Sequence, residues 1–248
     1  MSYSYSFHEL IKNVPAPGKY ATETHLHIKG TSGCAAGTAE EYVPAYRDAG
    51  YSTLIVTNHY GPWSAMTTGK TGRAAIDLLK DSYEHVAEVG EKYGLTVLSG
   101  MEISFEAHQG DFLLYGFDWD FFYDDPEIFR KMPVEEFAPI AHENGFIIFQ
   151  AHPCREGNTP RRLDTLDGIE IYNGQLGHHN NNDQAYALAC EKGMRMLSGS
   201  DCHAANCEAL GGILTDKKIE TMEQFLDLLR RGGYTLQYDP QFFPVEGF

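Results

Sequence analysis

Short apolar segments alternate with amphipathic segments along most of the chain, and this alternation limits the folds that the chain can adopt. The predicted strands cover residues 20–28, 52–58, 96–103, 112–117, 146–150, 168–172 and 194–198. The predicted helices cover residues 39–49, 73–93, 134–144, 183–192 and 222–231. Glycine follows four of these helices, as in left-handed helix C-caps, at Gly50, Gly94, Gly145 and Gly193. The order predicts an α/β fold with a mostly parallel sheet, into which residues 112–117 insert an extra strand.

The sequence favours a single barrel over an open sheet. Common nucleotide-binding open sheets have a glycine-rich phosphate loop after their first strand, and this sequence has none there. A chain of 248 residues is long enough for one α/β barrel. Residues 1–19 are predicted to be an irregular lead-in and residues 20–248 the barrel domain, in which residues 234–238 form a short terminal strand.

Charge and cysteine content exclude several classes of function. The 35 acidic and 19 basic residues give a net charge of −16, which argues against a protein that coats nucleic acid. No apolar run approaches the ~20 residues of a membrane span, and the first residues lack the pattern of a secretory signal. The five cysteines are odd in number and form no CxxC pair. A cytoplasmic protein with free thiols and no membrane partner is therefore expected.

Five apolar strands finish on histidine or acidic residues. Residues His25 and His27 point to the same side of the first strand, because side chains alternate along a strand. The later strands deliver, in order, His59, Glu102, His152 and Asp201, with His203 two residues further on. The carboxyl ends of parallel strands meet at one face of a barrel, so these side chains are expected to converge.

Convergence of these groups predicts a metal centre. Unpaired imidazoles and carboxylates carry a large desolvation cost, which coordination of several divalent cations would remove. Mixed nitrogen and oxygen ligands favour Zn, Mn or Fe over Mg or Ca. The other histidines are predicted to be structural, solvated or in loops: His8, His85, His108 and His142. His178 and His179 belong either to a rim loop that contacts substrate or to a plain turn.

Five short motifs occur in this order along the chain: HLH at 25–27, TNH at 57–59, GME at 100–102, AHP at 151–153 and GSDCH at 199–203. Their order and spacing resemble those of the PHP family. This family is named for polymerase and histidinol phosphatase domains. The segment IEIYNG at 169–174 also resembles a family segment. The resemblance covers most of the chain and implies a distorted (β/α)7 barrel with two or three Mn, Fe or Zn ions that hydrolyses phosphate esters.

The resemblance also implies a ligand set. One ion would be shared by His25, His27, Glu102 and Asp201, and Glu102 would bridge to a second ion that His152 also holds. A third ion would lie between His59 and His203. Two positions depart from the family pattern, because Gly33 and Asp111 stand where many members carry histidine. Asp111 is an acceptable, harder ligand, whereas Gly33 removes a ligand from the third ion unless Cys34 or water replaces it.

Residues near these motifs are candidates for substrate binding and catalysis. Arg155 follows the AHP motif and would grip phosphate as a planar fork, or else form a surface pair with Glu156 or Asp164. Weaker phosphate-binding candidates are Lys29, Arg161, Arg162 and His178. The predicted catalytic residues are Glu102, Asp201 and Arg155. Glu170, on an alternating strand, is expected to face the interior and orient ligands or pair with a buried partner.

The expected function is hydrolysis of a small phosphate monoester by a metal-activated water at a di- or trinuclear site. Two alternatives remain at this point. The same cluster could open a C–N or carboxylic ester bond, or the domain could have degenerated into a non-catalytic metal-binding module. The segments 60–71 and 118–133 could cover the site and select the leaving group. The sequence does not determine the oligomeric state.

Overall fold

A computed structural model describes residues 19–107, 110–204 and 211–239. The strands in these ranges are β1 (Tyr20–Leu26), β2 (Tyr51–Val56), β3 (His59–Tyr60), β4 (Thr96–Ser104), β5 (Asp111–Tyr115), β6 (Ile147–Gln150), β7 (Gly168–Asn173), β8 (Arg195–Gly199), β9 (Gly212–Thr215) and β10 (Thr235–Gln237). The helices are α1 (Ala39–Asp48), α2 (Pro62–Thr68), α3 (Arg73–Tyr93), α4 (Trp119–Asp124), α5 (Ile128–Lys131), α6 (Val134–Glu143), α7 (Asn182–Lys192) and α8 (Met222–Arg231), with a 3-10 turn at Leu163–Thr165.

The strands form one sheet in the order β10-β9-β1-β2-β4-β5-β6-β7-β8, and β3 pairs with β4 beside this path. The ladders β1–β2–β4 and β6–β7–β8 are parallel. Between them, β5 runs antiparallel to both of its neighbours, as expected for an inserted strand. Strands β9 and β10 extend the sheet in antiparallel fashion.

The two ends of the parallel part approach each other, so that the sheet curves into a nearly closed barrel. We call the contact between β1 and the chain at and after β8, residues 195–203, the seam. There the Thr24 hydroxyl donates to the Ser198 carbonyl at 2.5 Å, and the His27 amide donates to the Cys202 carbonyl at 3.2 Å. Leu26 and Cys202 form an isolated parallel bridge. The predicted α/β barrel in a single domain is confirmed.

Apolar side chains fill the barrel and cover its outside. Inside, Ile55, Leu113 and Leu197 pack with Phe225 and Leu229 of α8. Their sequence neighbours point outward, because side chains alternate on a strand. The outer faces pack against α1 and α3 on one side, and against α4 and α6 on another. With α8 against the apolar part of the interior, the polar strand ends are left to build the site.

The predicted strands and helices match the observed elements to within two residues at nearly every boundary. The predicted strand 112–117 ends at Tyr115, because Gly116 turns the chain with a φ of 84°. Gly94 and Gly193 are left-handed C-caps, as predicted. The elements that were not predicted are short: α2, α4, α5, β3 and β9. The lead-in predicted for residues 1–19 lies outside the described residues except for Lys19. Among the described helices, none is long and apolar enough to cross a membrane.

A buried carboxylate fixes the seam. One oxygen of Glu23 accepts the amide N–H of Thr24 and that of His25, each at 2.9 Å, and the amide N–H of Ser200 at 3.0 Å. The first two amides lie where the β1–β2 ladder is irregular, between Glu23 and Leu26. The third belongs to the chain after β8. Glu23 therefore replaces regular strand pairing with a side-chain bridge.

Replacing Glu23 with alanine should destabilise the protein strongly. Three buried amides would lose their acceptor, and each buried unsatisfied donor costs about 1–3 kcal/mol. We expect Glu23→Ala to lower the free energy of unfolding by about 3 kcal/mol or more, measured by urea denaturation. Glu23→Gln keeps an oxygen acceptor and should lose less. The exposed Glu88 provides the control, since Glu88→Ala should stay within about 0.5 kcal/mol of the parent. Equal stability of the parent and Glu23→Ala would contradict the bridge.

Candidate metal centre

Five imidazoles and three carboxylates meet at one end of the barrel in three overlapping groups; the carboxyl ends of parallel strands supply most of them, and the amino end of the antiparallel β5 supplies Asp111. Within each group, the potential ligand atoms all lie within 4.8 Å of one another. The first group is His25, His27, Glu102 and Asp201; the second is Glu102, Asp111 and His152; the third is His27, His59 and His203. All eight residues predicted as ligands are therefore neighbours in space.

The donor atoms of the first group converge on one point. The Nε2 atoms of His25 and His27 face each other at 3.0 Å, and Asp201 Oδ1 lies 3.3 and 3.2 Å from them. In the described part of the chain, Asp201 Oδ1 and Glu102 Oε2 are buried and make no hydrogen bond, although imidazole nitrogens lie within 3.3 Å of each. Buried oxygens and nitrogens that converge without pairing fit a cation at their centre.

Glu102 lies between all three groups. Its Oε1 is 3.1 Å from His152 Nε2, and its Oε2 is 2.7 Å from His59 Nδ1. The His27 ring stacks on His59 with the ring centroids 4.2 Å apart, and it lies 4.3 Å from His203. One carboxylate can therefore face two ions, as the family resemblance implies.

The third group consists of three imidazoles, and no fourth residue of the described chain is grouped with them. Position 33 leaves no room for a larger side chain, because a Cβ built on Gly33 would lie 2.5 Å from the Thr67 side chain of α2. Cys34 lines the adjoining cavity but is not one of the three grouped ligands.

Several side chains hold the imidazoles in place. Glu170 Oε1 is 2.9 Å from His25 Nδ1, and its Oε2 accepts the amide N–H of His152 at 3.0 Å. Asn158 contacts His152 Nδ1 at 2.9 Å, and Ser32 contacts His27 Nδ1 at 3.2 Å. Such contacts leave Nε2 aimed at the centre. The alternating strand pattern predicted Glu170, whereas Asn158 and Ser32 lie in loops and carried no local signal.

Two of the candidate ligands occupy backbone conformations that side-chain-bearing residues rarely adopt. His152 has a φ of 30° and Asp201 a φ of 52°. Strain of this kind costs of order 1–3 kcal/mol and is retained where it serves a site. Each residue lies two positions past the end of its strand, β6 for His152 and β8 for Asp201.

Charges in the centre are strongly coupled. Burial lowers the pKa of His25, but Asp201, Glu170 and Glu102 together raise it well above its ordinary value. Burial raises the pKa of Glu102, but His59 and His25 bring it well below the usual range. Burial and the neighbouring His27 lower the pKa of His203 to about 3, whereas Glu102 helps to raise that of His59 to about 9. Raised pKa values at His25, His27 and His59 thus place positive charge beside the buried carboxylates.

Arg155 is engaged by the centre itself. Its Nη2 donates to Asp201 Oδ2 at 2.5 Å and to Asn173 Oδ1 at 2.9 Å, and its Nε donates to Asn180 Oδ1 at 2.8 Å. The surface pair with Glu156 or Asp164, given above as one alternative, is wrong: Asp164 pairs with Arg162. Neither Asn173 nor Asn180 was predicted, because they approach Arg155 only in the folded barrel.

The remaining candidates separate into two sets. His178 lines the cavity beside the centre, and burial, with nearby Arg155, lowers its pKa. Lys29 and Arg161 are exposed and do not line that cavity, so the structure does not bring them to the candidate centre. His85 pairs with Glu40 and His142 with Asp167 on the surface, in agreement with their prediction as structural or solvated residues. His8 and His108 lie outside the described residues.

The cavity has a volume of about 750 Å³ and opens directly from the candidate centre, where His59, Asp111 and His203 line it. Segment 60–71 contributes Pro62, Trp63 and Ser64 to its wall, in agreement with the covering role suggested by the sequence. Segment 118–133 contributes no lining residue to this cavity and instead packs α4 and α5 against the outside of the sheet.

The ligand geometry predicts that the protein binds at least two transition-metal ions per chain. Removing one imidazole from the first group should weaken binding sharply, because each ion loses one of few protein ligands. We expect His25→Ala to lower the metal content after reconstitution with Mn, Fe or Zn, measured by elemental analysis. His85→Ala removes an exposed imidazole and should keep the parent content. Fewer than about two ions per parent chain after reconstitution would contradict a multinuclear centre.

Metal affinity should also depend on pH. The pKa values of His25 and His27 are raised, so these imidazoles carry protons that an ion must displace. A rise in pH weakens this competition, and because the pKa values are raised, that of His59 to about 9, the apparent affinity should keep increasing from about pH 6 to about pH 9. Titration with Zn²⁺ against a competing chelator measures this. An affinity independent of pH over that range would show that imidazoles are not the ligands.

Comparisons with known proteins agree with the motifs. Residues 179–234 match the family model PHP_C, described as PHP-associated. A two-domain protein from Bacteroides vulgatus that contains a predicted PHP-like metal-dependent phosphoesterase superposes with a TM-score of 0.62 and 18% identity, over 91% of this chain and 67% of that one. A lesion-specific endonuclease from Pyrococcus furiosus gives 0.58 and 16%, over 88% of this chain and 57% of that one.

An amidohydrolase from Chromobacterium violaceum, with bound sulfate and no metal, gives a TM-score of 0.50 and 15% identity, over 88% of this chain and 98% of that one. The comparison with curated protein sequences gave no significant match. At these identities the structural similarities establish the fold. The family resemblance predicted from the motifs is therefore confirmed: the chain has the barrel fold of PHP-like proteins and carries a PHP-associated segment at residues 179–234.

Proposed function

We propose that this protein hydrolyses a small phosphate monoester with two or three divalent metal ions. The observation that carries the proposal is the position of Glu102, whose two carboxylate oxygens face different groups of imidazoles in a fully buried site. Carboxylates placed in this way hold two ions side by side, which is the arrangement used to displace an oxygen at phosphorus. The mixed nitrogen and oxygen donors favour Mn, Fe or Zn.

Bound ions would activate a water, bind the phosphate oxygens and supply the positive charge that a chain of net charge −16 otherwise lacks. The protein's own residues fix the geometry. Glu170 and Asn158 set the orientation of His25 and His152. The guanidinium of Arg155 fixes Asp201 through Nη2. Its Nη1 makes no hydrogen bond within the described residues, which leaves that nitrogen for a phosphate oxygen.

The proposed substrate is a small molecule and the proposed location is the cytoplasm. The acidic net charge disfavours binding along a nucleic acid, although the Pyrococcus furiosus protein of similar fold is an endonuclease. The cysteines of the described chain are free, which suits a reducing compartment: Cys34, Cys154, Cys190 and Cys202.

One observation favours a second candidate, hydrolysis of a C–N bond. Two of the three guanidinium nitrogens of Arg155 already donate hydrogen bonds to Asp201, Asn173 and Asn180, so only the third nitrogen remains for a phosphate oxygen. The Chromobacterium violaceum amidohydrolase shares the fold. A panel of amides and carboxylic esters alongside phosphate monoesters separates the two candidates.

The decisive test uses the metal-loaded protein and the Glu102→Gln variant. We expect turnover of phosphate monoesters by the parent, and a loss of more than about a hundredfold in kcat/KM in the variant, since an amide cannot serve two cations as a carboxylate does. Glu88→Gln, far from the centre on α3, is the matched control. Arg155→Ala should lose about ten- to hundredfold while its metal content stays at the parent level, and Arg155→Lys should recover part of that loss.

Two outcomes would overturn the proposal. Cleavage of amides without cleavage of phosphate esters would assign the site to the second candidate. Full activity of Glu102→Gln with its metals retained would show that the reaction does not need a carboxylate between the two groups of imidazoles.

A further inference from the structure

We infer that the cavity selects phosphate monoesters whose alcohol carries an aromatic ring and no second anionic group, with Trp63 as the stacking surface and Glu106 and Glu156 as the residues that repel a second anion. This inference rests on the proposed function, because it places the phosphate at the candidate metal centre. It concerns the part of the substrate that the centre itself does not contact.

Trp63 is exposed beside the centre. The residue is 43% exposed, and its indole lies 5.9 Å from the His59 ring, centroid to centroid, in an edge-on arrangement with an interplanar angle of 75°. His59 belongs to the third ligand group. If the phosphate of a substrate lies at the centre, the alcohol part of that substrate would therefore extend along the Trp63 indole. Exposed indoles next to a polar site bind flat rings well, because the ring loses little conformational freedom on stacking.

The position of Trp63 is fixed before any ligand arrives. Helix α2 starts with Pro62, which has the helical φ already set. The Gly61 amide donates to the Ser64 hydroxyl at 3.0 Å, which caps the first turn. On its other side, α2 packs Thr67 against Gly33 so closely that no side chain fits between them. A preformed surface of this kind gains more from stacking than a mobile one.

The size of the cavity indicates a substrate much larger than phosphate. Its volume of about 750 Å³ falls in the range of sites that enclose a small organic molecule. Besides Trp63, its wall includes the half-buried Pro62, which offers apolar area for a ring. The space therefore suits a phosphate together with a bulky, flat alcohol.

The charges on the wall restrict that alcohol. Glu106 and Glu156 line the cavity, and their side chains make no ion pair or hydrogen bond within the described residues. Their backbones are fixed, since the Glu106 amide donates to Phe129 and the Glu156 amide donates to His179. Arg155 is the one Lys or Arg among the described lining residues, and it is paired with Asp201. A second phosphate or carboxylate on the substrate would meet like charge with no cation to offset it.

Three substrates with the same type of leaving oxygen test the inference: benzyl phosphate, cyclohexylmethyl phosphate and 4-carboxybenzyl phosphate. With the metal-loaded protein, we expect the highest kcat/KM for benzyl phosphate. Trp63→Ala should raise KM for benzyl phosphate about three- to tenfold with a smaller change in kcat, and Trp63→Phe should recover most of it. The variant should remove the preference for benzyl over cyclohexylmethyl phosphate.

A double variant tests whether Glu106 and Glu156 repel a second anion. In Glu106→Gln/Glu156→Gln, the ratio of kcat/KM for 4-carboxybenzyl phosphate to that for benzyl phosphate should rise about three- to tenfold, more at low salt than at high salt. Glu88→Gln/Glu91→Gln removes the same number of charges from an exposed helix face and should leave the ratio at the parent value.

A binding measurement separates this inference from the proposed reaction. The chain has two tryptophans, so Trp119→Phe leaves Trp63 as the sole indole fluorophore. Titration with 4-nitrobenzylphosphonate, which cannot be hydrolysed at its P–C bond, should quench that fluorescence, and methylphosphonate should not.

If no ester is hydrolysed, the proposed function fails whatever the quenching. If esters are hydrolysed but benzyl and cyclohexylmethyl phosphate react alike and the indole is not quenched, the proposed function stands and the aromatic selection is wrong. An unchanged substrate ratio in the double glutamine variant overturns the role of Glu106 and Glu156.

Discussion

The candidate centre depends on the closure of the barrel at the seam between β1 and the chain at and after β8. The first ligand group takes His25 and His27 from one side of this seam and Asp201 from the other. Regular strand pairing does not hold the two sides together. Instead, Glu23 accepts amides from both sides, and the Thr24 hydroxyl reaches across to a carbonyl of β8. A buried side chain outside the three ligand groups thus helps to hold the candidate ligands together.

The same closure creates an electrostatic cost that a metal would remove. Glu102 and Asp201 are buried and keep their negative charge because imidazoles and Arg155 surround them. Those imidazoles must in turn hold protons, which places like charges side by side, as between His59 and His27. Divalent ions would supply the positive charge without requiring protonated neighbours. The positive φ values of His152 and Asp201 add a second cost, because backbone strain of this kind raises the free energy of the folded chain.

The sequence predicted which side chains converge at the candidate centre but not most of the residues around them, for a physical reason. A ligand at the end of a buried strand is set by local alternation and by the rule that parallel strands meet at their carboxyl ends, so His25, Glu102 and Asp201 could be found without any contact map. The partners of Arg155 come from β7 and from the loop before α7, a meeting that only the folded barrel produces. Helix α2 has seven residues rich in Ser, Thr and Trp, which have weak helix propensity, so its local sequence gave no helix signal.

Gly33 links two properties that would otherwise vary separately. Thr67 of α2 fills the space that a side chain at position 33 would need, and the same short helix carries Trp63 into the cavity. A lineage that acquired a metal-binding side chain at position 33 would have to displace the helix and with it the aromatic wall. The number of metal donors and the shape of the substrate pocket therefore compete for one volume, so that an evolutionary change in substrate range at this position would be coupled to a change in metal stoichiometry.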